Sequence, residues 1–114
     1  NEMNNALAGT QLLIVTGEAA LARATEATED DPASGARDLD ERRFQSRDVL
    51  VGIAASGRTP YVLGAVRRAR ELGAVTVGLS CTPDSELSRA VSIPIEVLTG
   101  PEVIAGLTRL ARNR

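Results

Sequence analysis

The residues best suited to bind a ligand lie in one short loop, Ser56-Gly57-Arg58-Thr59. Gly57 lets the backbone turn sharply and approach a ligand closely, and the two hydroxyl groups can donate hydrogen bonds. Arg58 adds a charged fork that suits phosphate. Pro60 favours a helix that begins directly after the loop, and the free N–H groups of a helix start attract an anion. The loop therefore predicts an anion site, although an ordinary capped turn uses the same residue types.

Acidic residues form the second group with chemical potential: Glu26, Glu29, Asp30 and Asp31. They fall at the carboxyl end of a predicted helix, where the helix dipole disfavours negative charge, and Glu26 and Glu29 repel each other as an i, i+3 pair. Local stability does not explain this placement, so a carboxylate that transfers protons is one interpretation. A solvated helix end that runs into the Asp31-Pro32 turn is the simpler one.

Two further residues are weaker candidates for a site. Glu102 falls in the first turn of the last predicted helix, where the dipole favours a carboxylate whether or not it binds a ligand. Cys81 follows the end of a predicted strand. Since the chain has no His to activate a thiol, a small buried thiol is favoured over a nucleophile.

Composition excludes several classes of function. All 13 basic residues are arginine and the net charge is −2, which gives no basic field for nucleic acid or an anionic membrane. Aromatic residues make up 2% of the chain, too few for stacking platforms. The chain has neither Lys nor His, which removes Schiff-base chemistry and the commonest metal ligand. The sequence contains no Gly-Lys-Ser/Thr and no GxGxxG, the two best-known nucleotide motifs.

The elements that must position these residues alternate between strand and helix patterns. Apolar runs predict strands at residues 11–15, 48–55, 75–80 and 93–98. Helical spacing predicts helices near residues 20–28, 60–72 and 86–90 and from 101 onward, and Pro-Ala-Ser-Gly at 32–35 is interpreted as a break before an exposed helix. The order predicts one α/β domain, a three-layer α-β-α sandwich with a parallel sheet. An irregular start (1–10), a β/α core (11–98) and a terminal helix (101–114) would divide it.

Beyond these patterns, the run DVLVGIAASGRTPYVLG at residues 48–64 resembles the second sugar-phosphate loop of the N-acetylmuramic acid 6-phosphate etherases. Those enzymes carry a SIS (sugar isomerase) domain. The likeness extends downstream through residues 69–81 and 95–103, and upstream through 17–21 and 26–31. The chain is therefore similar to this family over most of its length, and a SIS/flavodoxin-like fold is the expectation.

The resemblance implies a cytoplasmic lyase of peptidoglycan recycling. Such an enzyme removes the D-lactyl ether from N-acetylmuramic acid 6-phosphate and gives N-acetylglucosamine 6-phosphate and D-lactate, with no metal, nucleotide or other cofactor. The amino-sugar 6-phosphate would be bound by Ser56, Gly57, Arg58 and Thr59. Glu29 falls on an active-site glutamate of the family, and Glu102 is a possible substrate contact.

Departures from the family pattern leave other functions open. A Gly-Thr-Ser-Gly-Arg loop, the first strand of the sheet and a second catalytic carboxylate are expected upstream of residue 1. The family pattern Gly-Ser-Thr-Arg-Leu-Lys reads Gly-Leu-Thr-Arg-Leu-Ala at residues 106–111. The chain can thus be part of an etherase completed by another chain, a non-catalytic sugar-phosphate module as in the related glucokinase regulatory proteins, or a truncated or redesigned scaffold without a ligand. A sheet that lacks a strand predicts a homodimer or a swapped assembly.

Overall fold

The computed structural model describes residues 9–17, 31–98 and 101–112. In these ranges four strands alternate with four helices. The strands are β1 (Leu12–Thr16), β2 (Val49–Ile53), β3 (Val75–Ser80) and β4 (Ile93–Glu96). The helices are α1 (Pro32–Glu41), α2 (Pro60–Glu71), α3 (Glu86–Ala90) and α4 (Pro101–Arg112). The predicted bounds of β3 and α3 are confirmed, whereas the predicted helix near residues 20–28 lies outside the described residues.

All four strands run parallel and pair in the order β1-β2-β3-β4. The predicted α/β fold with a parallel sheet is therefore confirmed. The strands stand in sequential order, and β1 pairs directly with β2, whereas a flavodoxin-like 2-1-3-4-5 sheet has its first strand between the second and the third. Each connection steps to the next strand in the same direction. Because such crossovers are right-handed, the helices that connect the strands belong on one face of the sheet.

Two adjacent glycines bring the helices close to this face. Gly52 of β2 and Gly78 of β3 are partners in the strand register. A Cβ atom at Gly52 would lie 2.8 Å from Val62 of α2, and one at Gly78 would lie 2.9 Å from Leu87 of α3. Helices α2 and α3 therefore sit almost on the backbone of the sheet, and the side chains of Val62 and Leu87 are fully buried.

The segment at residues 32–35 begins a helix, so the prediction of a break there is wrong. Pro32 occupies the first turn of α1, and the Asp31 carboxylate caps the helix by accepting a 2.9 Å hydrogen bond from the Ala33 N–H. The predicted exposure of this helix is wrong for one face, because Gly35 and Leu39 are buried. A Cβ atom at Gly35 would overlap the Tyr61 carbonyl oxygen, so the glycine is a close-packing residue rather than a helix breaker.

Helices α1 and α2 cross at a pair of glycines. A Cβ atom at Gly64 of α2 would overlap the Pro32 carbonyl oxygen, which leaves no room for a side chain there. Beside the crossing, the Tyr61 hydroxyl donates a hydrogen bond to the Asp38 carboxylate. Burial raises the pKa of the Tyr61 hydroxyl, and the bond to Asp38 raises it further, so this link between the helices stays protonated. The polar end of Tyr61 therefore joins the two helices.

The amino ends of β1 and β2 are joined by one buried carboxylate. Asp48 was predicted as the first residue of a strand, but it lies just before β2 and accepts hydrogen bonds from two backbone N–H groups, Gln11 at 2.8 Å and Gln45 at 2.7 Å. Burial opposes its ionisation, yet these hydrogen bonds outweigh that effect and hold the pKa of Asp48 below its ordinary value. The carboxylate therefore fixes where the first two strands start.

Candidate functional site

The loop that follows β2 makes a tight turn at the carboxyl edge of the sheet. Gly57 has a φ of 69°, in the left-handed region, and its N–H donates a 2.9 Å hydrogen bond to the Ala54 carbonyl. A Cβ atom at Gly57 would overlap the Ser85 side chain. Both the dihedral angle and the space therefore require glycine at this position, as the sequence predicted for a close turn.

Ser56 and Arg58 present polar groups to solvent from this turn. Ser56 is exposed, and its hydroxyl oxygen accepts a 3.1 Å hydrogen bond from the Arg58 N–H. That bond fixes the serine over the turn and leaves its O–H free to donate outward. Both side chains line a surface depression of about 330 Å³ at the carboxyl ends of β2 and β3. Parallel α/β sheets bind ligands at this edge.

The hydroxyl of Thr59 points toward β1 and not toward the depression. Thr59 is the N-cap residue of α2 by position, but its side chain makes no capping hydrogen bond. Its hydroxyl instead donates a 3.2 Å hydrogen bond to the carbonyl of Gly17, at the end of β1. Thr59 does not line the depression, so its predicted role as a phosphate donor gains nothing from this geometry. The residue ties the loop to the neighbouring strand.

The other wall of the depression comes from the turn between β3 and α3, which sequence reasoning did not identify as part of the site. Thr82, Asp84, Ser85, Glu86 and Arg89 line it. The order of the strands explains why this turn belongs to the site, because the carboxyl ends of neighbouring parallel strands meet at one edge of the sheet. Without the order, nothing in the sequence linked this turn to the loop.

Several backbone hydrogen bonds join the two walls. The Cys81 N–H and the Thr82 hydroxyl both donate to the Ala55 carbonyl, at 2.9 and 3.2 Å. The Leu87 N–H donates to the Gly57 carbonyl at 2.9 Å. These hydrogen bonds tie the loop to the turn and hold the two walls of the depression together.

The charges around the depression balance. Arg58 and Arg89 supply two guanidinium groups, and Asp84 and Glu86 supply two carboxylates. Arg89 pairs with Asp84, with 3.4 Å between guanidinium nitrogen and carboxylate oxygen. The depression therefore has no large net charge that would attract an anion from a distance.

The remaining predicted site residues are not brought to this depression. Glu29 lies outside the described residues, so its predicted role is untested. Glu102 is exposed in the first turn of α4 and does not line the depression, which fits the helix-start interpretation. Cys81 is half-buried just after β3.

Sequence comparison finds one matching family model and several curated relatives. The family model of the glucokinase regulatory protein N-terminal SIS domain matches residues 1–70. The chain is 56% identical over 98 residues to the N-acetylmuramic acid 6-phosphate etherase of Rubrobacter xylanophilus, and 52% identical over 98 residues to etherase 2 of Vibrio cholerae. These matches cover 86% of the chain but 33% and 32% of the relatives. The chain thus spans about a third of their length, and the resemblance seen in the sequence is confirmed.

Solved structures share the fold at low sequence identity. The Vibrio vulnificus NanR protein complexed with ManNAc-6P superposes with a TM-score of 0.59 and 17% identity, covering 98% of this chain and 51% of that one. A protein of E. coli CFT073, solved in a ligand complex, gives a TM-score of 0.55 and 18% identity, covering 97% and 75%. At this identity the likeness bears on the fold alone. Within the described ranges, no helix has the length and apolar character that a membrane crossing needs.

Proposed function

Because the chain belongs to the family of the glucokinase regulatory protein N-terminal SIS domain, we propose that it binds a sugar phosphate through the loop at residues 54–59. One observation carries the proposal: Ser56 and Arg58 stand exposed on one wall of a preformed depression at the carboxyl edge of the sheet. An outward hydroxyl and a guanidinium on a glycine turn are the donors that a phosphate needs.

An amino-sugar 6-phosphate is the ligand class that fits best. The relatives at 52–56% identity are named for N-acetylmuramic acid 6-phosphate, and the NanR neighbour was solved with ManNAc-6P. A depression of about 330 Å³ is large enough for one phosphorylated sugar ring. The polar lining of hydroxyls and charged groups also suits a sugar better than an apolar ligand.

The whole protein of which such a domain is a part would act as a carbon–oxygen lyase. A base removes the proton at C2 of N-acetylmuramic acid 6-phosphate, an acid assists the departure of D-lactate from C3, and water adds to the unsaturated intermediate. Glu29 is proposed as one of the two carboxyl groups. By the resemblance, the second carboxyl group belongs to the family segment that precedes the part corresponding to residue 1, whether that segment is in the same protein or in another chain. A cytoplasmic role in peptidoglycan recycling follows from this activity.

A non-catalytic binding module is the second candidate. Leu107 and Ala111 stand where the etherase pattern has a hydroxyl and an ammonium group, and the matching family model is that of a regulatory protein. Both candidates need the same phosphate loop and differ only in whether lactate is released.

Calorimetric titration with N-acetylglucosamine 6-phosphate tests the binding proposal. Arg58→Ala should weaken affinity about 10- to 100-fold, because a hydrogen bond to a charged group is lost, and Ser56→Ala by about 3- to 10-fold. Arg67→Ala is the matched control, since Arg67 is an exposed arginine of α2 that does not line the depression. Unphosphorylated N-acetylglucosamine should not bind measurably. Equal affinity of wild type and Arg58→Ala would remove the loop from the proposal.

Release of D-lactate from N-acetylmuramic acid 6-phosphate separates the two candidates. Lactate that appears with wild type and disappears with Glu29→Ala supports the lyase. Tight binding without any release at high protein concentration supports the non-catalytic module for this chain. Elution as a dimer in size-exclusion chromatography is expected, and a strictly monomeric profile would contradict the proposed homodimer.

A further inference from the structure

Arg89 of α3 faces the phosphate loop from the opposite wall of the depression. It lines the same 330 Å³ space as Ser56 and Arg58, although it comes from a different crossover. Its guanidinium donates a 2.5 Å hydrogen bond to the Asp84 carbonyl and lies 3.4 Å from the Asp84 carboxylate. The side chain keeps 58% of its surface exposed, so an anion in the depression can reach it.

Among the residues that the structure describes, the Asp84 carboxylate forms an ion pair with Arg89 and makes no other polar contact. The φ of 51° at Asp84 lies in the left-handed region, where Gly and Asn are more comfortable than Asp. The hydrogen bond that fixes its backbone runs from the Asp84 N–H to the Glu96 carboxylate at 2.7 Å and needs no carboxylate at position 84. The Asp84 side chain is 82% exposed, and its carboxylate pairs with the Arg89 guanidinium. The turn therefore places a negative charge beside Arg89 without needing it for its own geometry.

A bound phosphate would compete successfully with Asp84 for this guanidinium. A solvent-exposed ion pair changes an equilibrium by about fivefold or less. A phosphate monoester carries nearly two negative charges and accepts two parallel hydrogen bonds from one guanidinium. The hydrogen bonds from Thr82 to Ala55 and from Leu87 to Gly57 hold both walls in place, so the second arginine needs no conformational change of the backbone to engage.

Building on the proposed sugar-phosphate function, we propose that Arg89 is a second phosphate-binding residue and that Asp84 is an internal competitor that holds Arg89 until a phosphate monoester displaces it. Two guanidinium groups on opposite walls favour a dianionic monoester over singly charged ligands. Asp84 correspondingly lowers affinity for every anion and sets the threshold concentration at which the site fills.

A double-mutant cycle on binding of N-acetylglucosamine 6-phosphate tests this arrangement. Arg89→Gln should weaken affinity about 10-fold or more, and Asp84→Asn should strengthen it about three- to fivefold. In the Arg89→Gln background the gain from Asp84→Asn should vanish, because its effect acts through Arg89. Glu86→Gln is the matched control, because it also removes one negative charge from the depression. Arg89 pairs with Asp84 and, among the described residues, not with Glu86. The increase in affinity should therefore be smaller for Glu86→Gln than for Asp84→Asn.

Two further variants separate effects on folding stability from effects on phosphate binding. Asp84→Gly also removes the carboxylate and suits the left-handed backbone, so it should reproduce the gain of Asp84→Asn with an unchanged melting temperature. Arg89→Lys keeps the charge but not the bidentate fork and should recover part of the affinity lost in Arg89→Gln.

The outcomes distinguish this inference from the function on which it rests. If wild type binds no sugar phosphate, the proposed function itself fails. If wild type binds and Arg58→Ala loses affinity while Arg89→Gln does not, only the second arginine is refuted. If the gain from Asp84→Asn persists in the Arg89→Gln background, Asp84 acts through the general field of the depression and the competitor role is wrong.

Discussion

The two faces of the sheet differ in how completely they are buried, although both are apolar. On the face toward α2 and α3, Leu50 and Thr76 are completely buried and glycines stand at the closest approach. On the opposite face, Val75, Ile93 and Ile95 keep 44–48% of their surface exposed. In the strand pairing, Val75 lies beside Val49 and Ile95 lies beside Leu79. Neighbouring strands therefore present apolar side chains on this second face as well.

The difference follows from chain connectivity rather than from composition. The three crossovers step in one direction along the sheet. Because crossovers between parallel strands are right-handed as a rule, their helices lie on one face. Residues 48–55 read as a strand buried on both sides, and hydrophobicity alone does not distinguish its two faces. Strand order therefore decides which apolar side chains contribute most to stability.

The largest expected effect comes from truncating a side chain on the helix-covered face. Leu50→Ala should lower the free energy of unfolding by about 3 kcal/mol, because it opens a cavity among fully buried neighbours. Ile95→Ala removes a similar side chain from the opposite face and should cost less than about 1 kcal/mol. Urea titrations of both variants measure the contrast. Equal losses would mean that the second face is as well packed in solution as the first.

A slightly smaller loss is expected where the helices of the covered side cross. Gly64→Ala should cost about 2–3 kcal/mol, since the new methyl group meets the backbone of Pro32 and the helices must separate. Gly106→Ala, in α4, has nothing within 4 Å and should instead stabilise by about 0.5–1 kcal/mol. Thermal melts of Gly64→Ala and Gly106→Ala separate the cost of the helix–helix clash from the gain in helix propensity. A neutral Gly64→Ala would show that the crossing adjusts freely.

The smallest loss of stability is expected at Asp48, which lies at the amino ends of β1 and β2. Asp48→Asn should cost about 1–2 kcal/mol at neutral pH, because an amide replaces a carboxylate that accepts backbone hydrogen bonds. Since the folded pKa of Asp48 lies below its unfolded value, its contribution is complete above that unfolded value, near pH 4, and is lost as the pH falls through the folded pKa. The stability gap between wild type and variant should therefore narrow below about pH 4. A gap that stays constant from pH 7 to pH 3 would contradict this assignment.

The sequence predicted the elements better than it predicted their packing. Residues 75–80 and 86–90 were assigned correctly, because an apolar run and a Ser-capped turn are local signals. Residues 32–35 were misread, since a glycine that breaks a helix and a glycine that admits a neighbouring helix look alike until the partner at Tyr61 is known. The close approach of the two helices at Gly35 depends on the tertiary structure and cannot be recognised from the local sequence.

The site shows the same division. The sharp turn at Gly57 was predicted from the loop itself, and the structure shows Ser56 and Arg58 exposed beside it. The hydroxyl of Thr59 turned toward Gly17, and Arg89 reached the site from another crossover. Neither result is visible in local sequence, because each depends on which strands are neighbours.

The bonds between the loop and the β3–α3 turn also give the site a kinetic signature. The amide protons of Cys81 and Leu87 are held by the carbonyls of Ala55 and Gly57, so they exchange with deuterium only when the two walls separate. A ligand that bridges the walls slows this separation. Deuterium uptake at two amides behind the site can thus report its occupancy, even for ligands without a chromophore or a measurable heat of binding.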